Sequence, residues 1–279
     1  MGRLERFGTI DIVSFEPKKH RYTDASGAEY KSVSRLLNSI EIPFDREGIS
    51  MMMAKGIKNR QVEILAEWDA KLKSSHVWGN WIHDNLESYH KLGTCDEKLK
   101  SVVQEIKPFY ENYSQIYTEV LLSDIESKVA GQTDLVVQRQ RSENTLYDFY
   151  DYKTNEQKGI EFDSIRRKKD PWQHYNKFFL PPLAHLEDCN YNRYALQLSL
   201  YALMAQKQYG IRIGRLALIF IDNELRVQPY PVAYLRFEAE MLLEHAGKTL
   251  KPLPQVAQPA ADGEDWDDAI NDSTEPESW

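Results

Sequence analysis

Thr145-Leu146-Tyr147-Asp148-Phe149-Tyr150-Asp151-Tyr152-Lys153-Thr154 alternates in places and is rich in Tyr and Phe, the composition of a strand. Side chains alternate along a strand, so Asp151 and Lys153 share one face. A carboxylate and an ammonium on a mostly apolar strand are costly to bury. Taken alone, the pair also fits a strand end with an ion pair turned to solvent. Upstream, Gly131-Gln132-Thr133-Asp134 leads into Leu135-Val136-Val137, so Asp134 interrupts a second apolar strand that begins near Val129. Two neighbouring strands joined by a loop of this length bring Asp134 and Asp151 together. Close carboxylates repel, and a divalent cation removes the conflict; hard oxygen donors suit Mg²⁺ or Mn²⁺. The plainer reading makes Asp134 a turn residue and Gly131 a bulge.

Outward from these strands, the chain reads as a mixture. His20-Arg21-Tyr22 and Glu29-Tyr30-Lys31 flank Asp24-Ala25-Ser26-Gly27, a hairpin loop. Ser32 can cap a short helix through about Asn38. Residues 49–73 have helical composition, a second helix is expected over about Val77–Lys91, and a third over about Glu97–Gln115 with Pro108 kinking or splitting it. Thr118–Leu122 reads as a strand, Tyr194–Tyr209 as a buried helix that is apolar nearly all round, Arg215–Asp222 as a strand and Arg236–Leu250 as a last helix. This order predicts an α/β (α+β) domain around a small sheet. The expected divisions are 1–75, an N-terminal hairpin and helices packed on the core; 76–251, the core; and 252–279, an acidic tail expected to be disordered.

Composition narrows the classes. The chain has 279 residues, 42% hydrophobic, with 16 Tyr, 10 Phe and 6 Trp, enough for a substantial core. No apolar run reaches the length of a membrane span, and the N-terminus lacks a signal-peptide core, so no membrane association and a cytoplasmic setting are expected. Two cysteines, Cys95 and Cys189, cannot supply a four-cysteine zinc or iron–sulfur site. The net charge of -8 sits in the tail: residues 259–279 hold eight acidic residues and no Lys or Arg, leaving 35 of each sign in the rest. A neutral body with local basic patches remains compatible with nucleic-acid binding.

Two further polar pairs stand out. Gln197 and Tyr201 are spaced i, i+4 on the apolar helix and share a face. Within Gly79-Asn80-Trp81-Ile82-His83-Asp84-Asn85-Leu86-Glu87, His83 and Glu87 are one turn apart. In order, Gly79/His83/Glu87, Gly131/Asp134, Asp151/Lys153 and Gln197/Tyr201 resemble the RecB-like, phage-type exonuclease branch of the PD-(D/E)xK nuclease superfamily. The resemblance spans about 75–222. It implies a restriction-endonuclease-like core, a mixed central sheet flanked by helices, with an N-terminal helical elaboration. It also implies a Mg²⁺- or Mn²⁺-dependent deoxyribonuclease, of exonuclease type, in DNA recombination, repair or phage DNA metabolism. The implied metal ligands are His83, Asp134, Asp151 and the Tyr152 backbone carbonyl, with Glu87 as a weaker one. Glu119, on the preceding strand, is a weaker candidate for the acidic wall. Lys153 would attend the attacking water, and Gln197 and Tyr201 would orient the substrate or Lys153. The implied setting is a bacterial or phage-infected cytoplasm.

The segment after Thr154 suits a DNA track. Arg166, Arg167, Lys168 and Lys169 would follow phosphates, and Trp172 and Tyr175 would stack on unpaired bases. The expected substrate is DNA that is single-stranded or has a free end. In the acidic tail, Trp266 and Trp279 offer apolar anchors for a protein partner. A second reading keeps the fold and gives up the chemistry: a non-catalytic nucleic-acid-binding or adaptor protein.

Overall fold

The computed structural model describes residues 12–110, 113, 115–141, 144–154, 160 and 177–250. β1 (Val13–Glu16), β2 (Arg21–Asp24) and β3 (Glu29–Ser32) form an antiparallel meander. Asp24 shapes the second turn by accepting from the backbone N–H groups of Ser26 and Ala28. Gly27 follows at φ 83°, where a side chain would be strained. Ser32 caps α1 (Val33–Asn38), its hydroxyl accepting from the Arg35 N–H at 3.2 Å. α2 (Arg46–Met53) is capped in the same way by Asp45.

α3 runs from Lys58 to Leu92 without interruption. The sequence reading placed two helices and a division at 75/76 here, and the helix passes through that point. The segment holds no proline, and its one glycine, Gly79, stays helical. The helix stops at Gly93, which takes the left-handed φ of 75° that glycine reaches without cost. α4 (Lys100–Ile106) is shorter than expected, because Pro108 closes it in a 3-10 turn at Lys107–Phe109.

The remaining elements are β4 (Gln115–Asp124), β5 (Val129–Arg141), β6 (Asn144–Thr154), α5 (Asn190–Tyr209), β7 (Ile213–Ile221), β8 (Val227–Val232) and α6 (Arg236–Leu250). β8 was not foreseen, since Pro229 and Pro231 argue against a strand. It lies at the sheet edge and pairs with β7 alone, the position that tolerates missing N–H donors. The eight strands form one mixed sheet: β3 runs parallel to β5, β6 runs parallel to β7 with α5 in the crossover, and the other pairs are antiparallel.

Helices cover both faces. Phe149, Leu218 and Phe220 pack with Leu196 and Leu200 of α5 and Leu242 of α6. On the other face Tyr150, Tyr152, Ile219 and Ile221 pack with Ile82 and Leu86 of α3 and Val102 and Ile106 of α4. Covering on both sides explains why β7 is apolar at nearly every position. The chain is therefore a mixed α/β fold with a central mixed sheet flanked by helices. No helix among the described residues is long and apolar enough to cross a membrane.

Candidate active site

A strand has two edges, and β5 divides one of them between two partners. β4 pairs along the first edge from Val129 to Gln138, interrupted only at Asp134. On the other edge β3 pairs at Val129 and Ala130, and β6 takes over only at Leu135. Gly131–Asp134 fall in the gap. There the ladder continues through a side chain, with the Tyr152 N–H donating to Asp134 Oδ2 at 2.7 Å. The register Leu135↔Tyr150, carried one step further, sets Asp134 beside Asp151.

Two more elements converge on this gap. Glu119 lies on β4 between the pairs Thr118↔Leu135 and Val120↔Thr133, opposite Asp134. Its φ of 51° is left-handed, a conformation that costs a non-glycine residue on the order of 1–3 kcal/mol. Gln132 Nε2 donates to its carbonyl at 3.2 Å and helps to hold it there. α3 adds His83, whose Nδ1 is 3.4 Å from Asp134 Oδ1. One donor atom from each of His83, Glu119 and Asp134 lies within 4.8 Å of the others. They face a cleft of about 410 Å³ that Asn80, Glu87 and Thr154 also line. At Gly79 an added Cβ would sit 3.1 Å from Thr154 Oγ1, so the glycine lets α3 lie close to the end of β6.

The electrostatics are those of a crowded acidic pocket. Burial, reinforced by Asp134 and Glu87, pushes the Glu119 carboxyl up to about 8. Burial alone would lower His83, but the Asp134 carboxylate, with Asp151 behind it, outweighs burial and lifts the imidazole to about 9. Asp134 is held below the usual carboxylate range against its burial, by His83, Lys153 and the Tyr152 N–H. Asp151 is pushed up by burial, against the pull of Lys153. Like charges facing each other across a strand pair destabilise it. Nature's usual remedies are protons or a cation.

Lys153 is fixed on three sides. It forms an ion pair with Asp151, donates to Gln197 Oε1 at 3.0 Å, and lies 4.6 Å from the centre of the Tyr194 ring. Asp151 and Asp134 keep it protonated despite burial. Gln197 Nε2 donates in turn to the Tyr201 hydroxyl at 3.1 Å. Tyr201 packs on Gly131, where an added Cβ would come within 2.5 Å of Tyr201 Cε1 and 3.1 Å of Val33 Cγ2. Gly131→Ala should therefore destabilise the protein by about 1–3 kcal/mol, the usual range for overpacking. A denaturant midpoint equal to wild type would show that Tyr201 can move aside freely.

Of the residues singled out in the sequence, His83, Asp134, Asp151, Tyr152, Lys153, Gln197 and Tyr201 lie in one contiguous group. Asp151 is not among the three residues whose donor atoms lie within 4.8 Å of one another, and Lys153 pairs with its carboxylate. Glu87 lines the cleft, but Lys91 pairs with it. The Tyr152 side chain points to the opposite face, where its hydroxyl is 2.9 Å from His90 Nε2. Burial lowers His90 to about 4, so that imidazole is neutral. Tyr194 and His90 were missed; for Tyr194 the signal was present, since it precedes Gln197 by three residues on one helical face. Arg166, Arg167, Lys168, Lys169, Trp172, Tyr175 and the tail lie outside the described residues.

Neither a family model nor a curated protein matches the sequence. Among solved structures the chain is similar to one titled "Crystal structure of SSO0001", at 16% identity and a TM-score of 0.32, covering 70% of this chain and 72% of that one. A superposition this loose carries no argument about the site.

Proposed function

We propose that the chain is a divalent-metal-dependent DNA nuclease with a RecB-like, restriction-endonuclease-type core, acting as an exonuclease. The observation that supports it best is the buried Lys153, held by Asp151, Gln197 and Tyr194 next to the His83/Glu119/Asp134 cluster. A lysine kept charged, buried and aimed beside three metal-type donors has no evident use in stability alone.

The donor set fits a hard divalent ion. Two carboxylates and one imidazole suit Mg²⁺ or, with the nitrogen, Mn²⁺. His83, Glu119 and Asp134 would hold it, with Asp151 at the margin. Bound there, the ion would supply an activated water and polarise the phosphoryl oxygen. Lys153 brings a fixed positive charge to the phosphate as negative charge grows on it, at no cost of reorganisation. Gln197 and Tyr194 keep that ammonium from swinging toward Asp134. Tyr201 holds Gln197, and Gly131 gives Tyr201 its place. Arg166, Arg167, Lys168, Lys169, Trp172 and Tyr175 are assigned to the DNA strand, as the sequence reading had them.

Metal binding tests the cluster directly. At pH 7 His83 and Glu119 both carry protons, since their values are raised to about 9 and about 8. Ligation requires their lone pairs, so the ion must displace those protons. Mn²⁺ affinity should rise as pH climbs from 6 to 9 and level off above that. Calorimetry in buffers of different ionisation heat should show one to two protons released per ion near pH 7, on the linkage argument. Affinity that does not depend on pH would remove His83 and Glu119 from the ligand set. Cleavage of linear DNA without any divalent ion would remove the metal.

A further inference from the structure

A second concavity lies on the next face of α3. Trp78 and Trp81 are half-buried there, their ring centres 5.2 Å apart and inclined at 33°. With Val77, 64% exposed, and Leu225 from the β7–β8 turn, they line an open groove of about 760 Å³. Its lining is mostly apolar. Lys73 and Lys98 stand in it, no acidic residue lines it among the described residues, and neither lysine has a carboxylate partner there. The two indoles rest on the core beneath α3, and their groove side, flanked by two lysines, suits a polyanion that carries flat apolar rings.

Position adds to the chemistry. Trp78 precedes His83 by five residues, about 7.5 Å along the helix axis at the usual rise. Residues Ser75, Gly79, Asn80 and His83 face the cleft, while Ser74, Val77, Trp78 and Trp81 face the groove. The two hollows therefore share one helix as their common wall. They also sit at the same end of the sheet, because Thr154 of β6 pairs in parallel with Ile221, just before the β7–β8 turn.

We infer that the Trp78/Trp81 groove is a binding site for unpaired nucleobases, with Lys73 and Lys98 contacting the flanking phosphates, so that a single strand is held beside the scissile bond. The inference rests on the nuclease reading for its substrate, yet the binding can be measured without any cleavage. Stacking on aromatic side chains tolerates any base, so the groove would contribute affinity and little sequence preference.

The test is the affinity of the full chain for a fluorescent single-stranded DNA 12-mer in EDTA, beside cleavage of a small phosphodiester, thymidine p-nitrophenyl phosphate, in Mn²⁺. Trp81→Ala should weaken 12-mer binding on the order of 5- to 150-fold, the range for losing one stacked base. Lys73→Glu with Lys98→Glu, both fully on the surface, should weaken it too and flatten its salt dependence. Neither change should alter cleavage of the small ester, which is too short to reach the groove. A 12-mer of abasic residues should bind wild type no better than a normal 12-mer binds Trp81→Ala. Wild-type affinity in both variants would overturn the groove as a base site and leave it to a protein segment. Loss of 12-mer binding in the variants, with no cleavage of any substrate by wild type, would uphold the groove and sink the nuclease reading.

Discussion

Lys153→Met should lower the single-turnover rate of DNA cleavage by about 10²- to 10⁴-fold, the range seen when a charge that stabilises a transition state is removed. Methionine keeps most of the side-chain volume, so Tyr194 and Gln197 stay packed. The change leaves Asp151, which is 4% exposed, without its cation. Its carboxyl, already pushed up by burial, would then take a proton rather than remain charged. The variant should still bind DNA, because Lys153 lies inside the site and not along a track for the strand. A rate within threefold of wild type would show that the ammonium serves the fold only.

Asp148→Ala should be the most destabilising single change. Asp148 is fully buried, and both its oxygens accept from Arg139, each at 2.9 Å. Oδ1 also accepts from the Arg215 N–H at 2.7 Å, so the carboxylate ties β5, β6 and β7 together. Removing it strands a mostly buried guanidinium and an N–H donor. Breaking such a pair costs about 3–5 kcal/mol, and the 20% exposure of the Arg139 side chain favours the lower end. In a chain of this size each kcal/mol lowers Tm by about 2–4 °C. Cleavage per folded molecule should be unchanged, because Asp148 and Asp151 lie on opposite faces of β6. A Tm within 2 °C of wild type would mean that water replaces the carboxylate without loss.

The two predictions differ in how they could be read. Asp151-x-Lys153 was legible from the sequence because period-2 alternation puts both on one face, whatever the strand pairs with. The Arg139–Asp148 pair was not, because their adjacency depends on the β5–β6 register, which no local pattern states. Glu119 shows the same limit: its acidity was visible, but its place opposite Asp134 needs the β4–β5 register. β8 was hidden by its own prolines, and the single span of α3 by a division between residues 73 and 77 that no proline or glycine there requires. Gly131 was noted for its spacing, while its cause, the Tyr201 ring where a Cβ would go, belongs to the fold. The basic segment and the acidic tail remain readings of composition.

The most direct measurement is digestion of end-labelled linear single-stranded, linear double-stranded and covalently closed circular DNA, each in Mg²⁺, Mn²⁺ or EDTA, with Lys153→Met alongside. The expected result is loss of label from linear substrates only, dependent on the metal and absent in the variant. Circles cut at the rate of linear DNA would make the enzyme an endonuclease. No cleavage of any substrate, with DNA still bound equally well in EDTA, would contradict the nuclease and leave a binding protein on the same fold.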